Sequence, residues 1–146
     1  MRWTPGSLLA LLAAGGCASA PHNSTVVFSP AAVEEPVTAV IVAALDADRL
    51  MAPSDTLWAP DATVIANGEL RYAPPRFAGV GLGGEVAITS SRLEVRQSLV
   101  WVYLEYRWMS LNEGTAREGR ATVLLTPRSG AGGWRIVHAH SSVAQE

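Results

Sequence analysis

The chain has 146 residues, 49% of them hydrophobic and 16% charged, enough for one domain and too few for two ordinary ones. Its 13 acidic and 11 basic residues give a net charge of -2, which leaves no basic excess to displace counterions from nucleic acid, while the hydrophobic content argues against a disordered chain. One cysteine excludes a disulfide framework or a cysteine-rich zinc site, and the absence of lysine excludes a lysine-based Schiff base or a phosphate-gripping lysine.

Residues 1–20 read as an export signal. Arg2 precedes an apolar run over residues 8–14, and small residues follow. That run is far shorter than the about 20 residues a membrane-spanning helix needs. Two processing sites compete. Ala18-Ser19-Ala20 has the pattern of ordinary signal cleavage, which would leave Pro21 after the cut. Ala14-Gly15-Gly16-Cys17 resembles a bacterial lipobox ending in a lipid-modified cysteine. The expectation is lipid on Cys17, with the chain anchored on the periplasmic or extracellular side of the cell envelope. Membrane contact is then through that lipid only. Residues 21–30 follow as a tether and residues 31–146 as the folded domain.

In chain order, Ser29-Pro30 opens a helix, with a capping hydroxyl before proline at the first helical position. Glu34 and Glu35 near its start suit the helix dipole, and Pro36 suggests a reset of that start. The apolar stretch 37–45 follows. Asp46-Ala47-Asp48 is expected to end or bend the element, with a second short helix at Arg49-Leu50-Met51 closed by Pro53. Trp58-Ala59-Pro60-Asp61 reads as a turn, residues 62–66 as a short strand and Asn67-Gly68 as another turn. Residues 72–84, with two prolines and four glycines, read as irregular.

From Glu85 onward the pattern is antiparallel β: strands over 86–96, 99–111, 120–126 and 134–143, with turns at Gln97-Ser98 and Asn112-Glu113-Gly114 and a glycine-rich loop over 127–133. Helices followed by a meander make the fold α+β, with helices on one sheet face. In the strand over 99–111, one side carries Val100, Val102, Leu104, Tyr106 and Trp108. The other carries Trp101, Tyr103, Glu105, Arg107 and Met109. Both sides are substantially apolar or aromatic, so the second is expected to meet a partner subunit.

Two motifs then carry a resemblance. Trp58-Ala59-Pro60-Asp61-Ala62-Thr63-Val64, and a last strand reading Gly132-Gly133-Trp134-Arg135-Ile136-Val137-His138-Ala139-His140-Ser141-Ser142, resemble the ketosteroid-isomerase-like superfamily, also called nuclear-transport-factor-two-like or SnoaL-like. The likeness covers roughly residues 31–143 and is greatest to an uncharacterised branch. It implies a cone: a curved antiparallel sheet wrapped around N-terminal helices, an apolar pocket inside, and homodimers through the outer sheet face. The fold hosts isomerases, cyclases, dehydratases and binders, so it does not specify chemistry. The resemblance places the steroid isomerases' catalytic base at Ala66, their tyrosine near Val40, and their acid in the stretch Ala121-Thr122-Val123-Leu124-Leu125. None of these positions carries the required group, so whether the chain is an enzyme stays open.

Other candidates remain. His138 and His140, two apart on a strand, are expected to share a face with Trp134, Ile136 and Ser142. They are candidate catalytic acid/base residues, with plain structural hydrogen bonding as the alternative. As a metal pair they would need a third ligand, for which Asp61, Glu69 and Glu105 are conceivable. Trp58, Tyr106, Trp108 and Trp134 are candidate pocket-lining aromatics, with core packing as the alternative. Glu105 and Arg107 suggest a cross-strand ion pair at the dimer face or an anchor for a carboxylate. Gly79-Val80-Gly81-Leu82-Gly83-Gly84 matches a dinucleotide-binding pattern, but a strand rather than a helix follows it, so a flexible flap at the pocket mouth fits better. No motif asks for a cofactor or a resident metal. The leading expectation is an exported domain binding a small apolar molecule. The alternatives are a cofactor-independent isomerase or dehydratase using His138 or His140, and a structural envelope lipoprotein.

Overall fold

A computed structural model of the chain describes residues 29–130 and 132–144. The expected export signal, Cys17 and residues 21–28 of the expected tether lie outside the described residues. One helix, α1 (Pro30–Leu50), is followed by six strands: β1 (Trp58–Ala66), β2 (Glu69–Leu70), β3 (Glu85–Arg96), β4 (Leu99–Met109), β5 (Ala116–Pro127) and β6 (Trp134–Val143). They form one curved, unclosed sheet in the order β2-β1-β6-β5-β4-β3. The sheet is mixed: β1 runs parallel to β6, and the other neighbours are antiparallel. This is the α+β cone arrangement.

Helix α1 buries Val33, Val37, Ile41, Ala44 and Leu45, one stripe at helical spacing, against β3 and β6. The expected break at residues 46–48 does not occur. Arg49 Nε donates to Asp46 at 2.6 Å, and Asp48 Oδ2 accepts distant backbone N–H groups, so neither aspartate competes with the helix. Arg49 and Leu50 are its last turn rather than a second helix. Met51 ends it in the left-handed region, at φ 51°, with its N–H and that of Ala52 on the carbonyls of Asp48 and Ala47. Pro36 lies inside the helix, exposed, where it costs one hydrogen bond without resetting the start. Ser29 is the N-cap, but its side chain makes no capping bond, and Glu34 and Glu35 fall beyond the first turn.

Two further sequence expectations give way to one feature. Trp58-Ala59-Pro60-Asp61 is strand, not turn. Trp58 pairs with Ile136 and Thr63 with His138, so four residues of β1 bulge past a single residue, Val137, of β6. Pro60 sits where no ladder N–H is needed. On the other flank Leu125 pairs with Ile136 and Leu124 with His138, so Val137 is skipped there too. One residue thus resets the alternation of β6. Trp134 and Ile136 face the helix, and so do Ala139 and Ser141. His138, His140 and Ser142 face outward. The expected common face for the histidines with Trp134 and Ile136 is therefore corrected.

The core joins the helix stripe to Val100, Val102, Leu104, Tyr106 and Trp108 of β4 and to Val123, Leu125 and Ile136. The segment between β2 and β3 is tied down rather than free. Gly83 N–H donates to the Arg49 carbonyl at 2.6 Å, and the Gly83 carbonyl accepts from Trp108 Nε1 at 2.9 Å. A Cβ at Gly81 would meet the Trp108 ring at 2.6 Å, so glycine there lets the loop lie flat on the indole.

Candidate functional site

Inside the cone, one buried polar network joins helix, loop and sheet. Asp48 continues the apolar stripe of α1, four residues beyond Ala44, and so points into the core, where it is fully enclosed. Its Oδ2 accepts the backbone N–H groups of Arg76 and Phe77, each at 2.7 Å. Its Oδ1 has no partner among the described residues. Burial pushes the carboxyl up to about 6, against the opposing pull of those two amides and of the Arg76 charge.

One residue further on, the Ala78 peptide is clamped from both sides. Its N–H donates to Ser141 Oγ at 2.9 Å, and its carbonyl accepts the Tyr106 hydroxyl at 2.6 Å. Burial raises the Tyr106 phenol above its usual value. The Ser141 hydroxyl bonded to it opposes that rise, and the nearby Asp48 adds to it. Phe77 packs edge-on against Tyr106, with centroids 6.0 Å apart, and tilts against Trp58 at 5.9 Å. The network fixes the course of residues 76–78. Removing the Tyr106 hydroxyl (Tyr106→Phe) is expected to cost about 1–2 kcal/mol by urea unfolding. It should also speed hydrogen exchange at the Ala78 amide more than at neighbouring strand amides.

Arg76 carries this rigidity to the surface. Its backbone is held by Asp48. Its guanidinium lies 4.9 Å from the centroid of the Trp58 ring, donates to Ser54 Oγ at 2.9 Å, and stands 3.8 Å from the exposed Asp55. Beside this stack opens a cleft of about 370 Å³. Its apolar wall is Ala59, Pro60, Ala62 and Val64 with Trp58, and its polar rim is Arg71, Tyr72, Arg76 and Asp55. Such a shape suits a small molecule with an apolar body and a polar head.

Of the four aromatics singled out from sequence, Trp58 lines this cleft. Tyr106, Trp108 and Trp134 are enclosed in the core. His138 and His140 lie on the outer sheet face, across the sheet from the network. His140 lines a second cleft of about 360 Å³ there with Arg92, Tyr103, Glu105, Arg120 and Thr122. On the same face Trp101 and Tyr103 stack at 5.9 Å, Glu105 pairs with Arg120 at 3.0 Å, and Arg107 pairs with Glu118. Glu69 pairs with Arg71, and Asp61 is exposed. Among the described residues no three His, Cys, Asp or Glu side chains come together as a metal ion would require.

Sequence reasoning passed over Asp48, Arg76 and Ser141. Asp48 had a visible signal, because a carboxylate in register with Val37, Ile41 and Ala44 must enter the core. Arg76 and Ser141 had none, since their side-chain partners lie 18 or more residues away.

The sequence profile of the SnoaL-like domain matches residues 33–146. Among curated proteins none is similar enough in sequence to match the chain. Several solved structures share the fold. A nuclear transport factor 2-like superfamily protein from Salmonella enterica serovar Typhimurium superposes with a TM-score of 0.61 at 16% identity, over 81% of this chain and 95% of that one. The association domain of a Caenorhabditis elegans calcium/calmodulin-dependent protein kinase II gives 0.59 at 16% identity, over 75% and 94%. A structure named a putative ketosteroid isomerase, from Parabacteroides distasonis, gives 0.55 at 12% identity, over 75% and 86%.

Proposed function

The chain belongs to the SnoaL-like domain family, and on that premise we propose that it is an exported binding module that holds a small molecule in the cleft beside Trp58. The observation that carries this reading is the cleft itself: about 370 Å³, apolar on one wall, with Arg76 positioned on its rim by the buried Asp48. The family fold hosts binders as well as isomerases and dehydratases. Here the interior positions corresponding to isomerase catalysis are aliphatic, with Ala66 and Ala121 buried. Proton transfer by His138 or His140 would have to run on the outer sheet face, away from this cleft.

The module is read as a homodimer anchored by lipid on Cys17. The half-exposed Tyr103 stacked on Trp101, with its flanking ion pairs, supports pairing through the outer face, and one structural neighbour is named an association domain. No helix among the described residues is long and apolar enough to cross a membrane. The anchoring reading rests on the lipobox-like segment of the sequence.

Native mass spectrometry of the full chain, extracted with detergent from its own host's envelope, tests all three parts. The expected species is a dimer whose protomers begin at residue 17, carry a diacylglyceryl mass, and retain one small molecule each. Protein that emerges bare, and stays bare after incubation with host metabolite extract, would overturn the binding reading. Protomers beginning at Pro21 without lipid would overturn the anchor.

A further inference from the structure

The rim of the cleft holds two arginines whose acidic partners are both largely exposed. The Arg76 side chain is 12% exposed, yet among the described residues its guanidinium makes one hydrogen bond, from a terminal nitrogen to Ser54. Asp55, at 3.8 Å, lies beyond hydrogen-bond reach and is 92% exposed, so water screens most of its attraction. The remaining guanidinium N–H groups have no acceptor among the described residues. Stacking on Trp58 covers one face of the guanidinium and leaves its edge, where the N–H groups lie, as the part that can engage a ligand. Arg71 stands on the same rim. Its partner Glu69, at 3.0 Å, is itself largely exposed. Tyr72, 84% exposed, adds a hydroxyl.

We infer that the cleft recognises a small organic carboxylate, its carboxyl group accepting from the Arg76 guanidinium with Arg71 beside it, and its apolar body lying along Trp58, Ala62 and Val64. Charge counting favours a monoanion. The lining holds Arg71, Arg76 and Asp55, and Glu69 pairs with Arg71 beside it, so the rim has no surplus charge for a dianion. A carboxylate brings one negative charge to the Arg76 edge, whereas a phosphate dianion brings a second that would face Asp55 and Glu69. The fork of a guanidinium matches the two oxygens of a carboxylate, and charge-assisted bonds of this kind are about twice as strong as neutral ones. An apolar wall opposite a cationic rim asks for a molecule with one charged end. This inference rests on the binding reading above and gives it a ligand class.

The test measures binding of benzoate, benzamide and phenyl phosphate to the full chain by calorimetry at pH 7.5, in low and in high salt. Benzoate is expected to bind, to weaken as salt rises, and to bind at least about tenfold more tightly than benzamide. Arg76→Gln should erase that preference. Because Arg76 also touches Ser54 and Trp58, its variant is paired with Arg71→Gln, a more exposed change expected to weaken benzoate without lowering the melting temperature. Equal affinity for benzoate and benzamide would overturn the carboxylate inference and leave the binding reading standing. Preference for phenyl phosphate would overturn the charge match. Binding of none of the three at millimolar concentration would overturn the inference and, together with a bare protein in the mass measurement, the binding reading as well.

Discussion

Replacing Asp48 with asparagine is expected to remove a pH dependence of stability that the wild-type chain shows between about pH 4 and pH 6. The folded carboxyl titrates near 6 and the unfolded one near 3.8. Between those values the native state holds a proton that the unfolded state has released. Stability therefore falls as pH rises through this window, and the contribution present below pH 4 is lost above pH 6. The gap between the folded and unfolded carboxyl corresponds to about 3 kcal/mol. Asparagine keeps an oxygen for the amides of Arg76 and Phe77 and carries no charge at any pH. The difference in melting temperature between Asp48→Asn and wild type should rise from pH 4 to pH 6 and level off above. A constant difference across that range would mean that the carboxyl titrates normally. Asp48→Ala is the harsher change. It strands the buried Phe77 N–H and the part-buried Arg76 N–H, and at pH 5 it should cost about 3 kcal/mol. Through Arg76 it should also loosen the rim of the cleft.

Gly119→Val is expected to abolish cooperative folding, and Gly119→Ala to cost about 3 kcal/mol. Gly119 of β5 lies directly opposite Tyr106 of β4. A Cβ there would overlap the Tyr106 ring at Cζ, Cε2 and Oη. The ring cannot step aside cheaply, because Tyr106 is 1% exposed and its hydroxyl is held by the Ala78 carbonyl. Urea unfolding should show a lower midpoint for Gly119→Ala. Combining it with Tyr106→Leu should recover part of the loss, since the two changes share one space and cannot add independently. A Gly119→Ala chain as stable as wild type would show that the ring does not lie across this glycine.

The two effects differ in what the sequence shows of them. Gly119 precedes the strand read over 120–126, and only the structure extends β5 back to Ala116 and sets this glycine opposite Tyr106. Asp48 is legible as a carboxylate on an apolar helical stripe. That its two acceptor bonds go to residues 76 and 77 is not legible, because the intervening chain is irregular and its path is set by those bonds themselves. The histidines show the opposite failure. The alternation of β6 is plain as far as Ile136, yet one bulged residue, Val137, inverts it and moves His138 and His140 to the far face. Alternation counts residues, and it cannot count one that the ladder skips.

The amino-acid sequence alone determined the α+β class, the helix start at Ser29-Pro30, the four long strands, and the two-sided apolar character of the strand around Trp101 and Tyr106. It also carried the motifs of the family to which the chain belongs. These follow from local propensity and periodicity, which act over a few residues. Tertiary structure decided the parallel pairing of β1 with β6, the inversion at Val137, and the joining of Asp48, Arg76, Tyr106 and Ser141 around one loop. Those depend on which distant groups satisfy one another's hydrogen bonds once water is excluded, a condition that exists only when the whole core has closed.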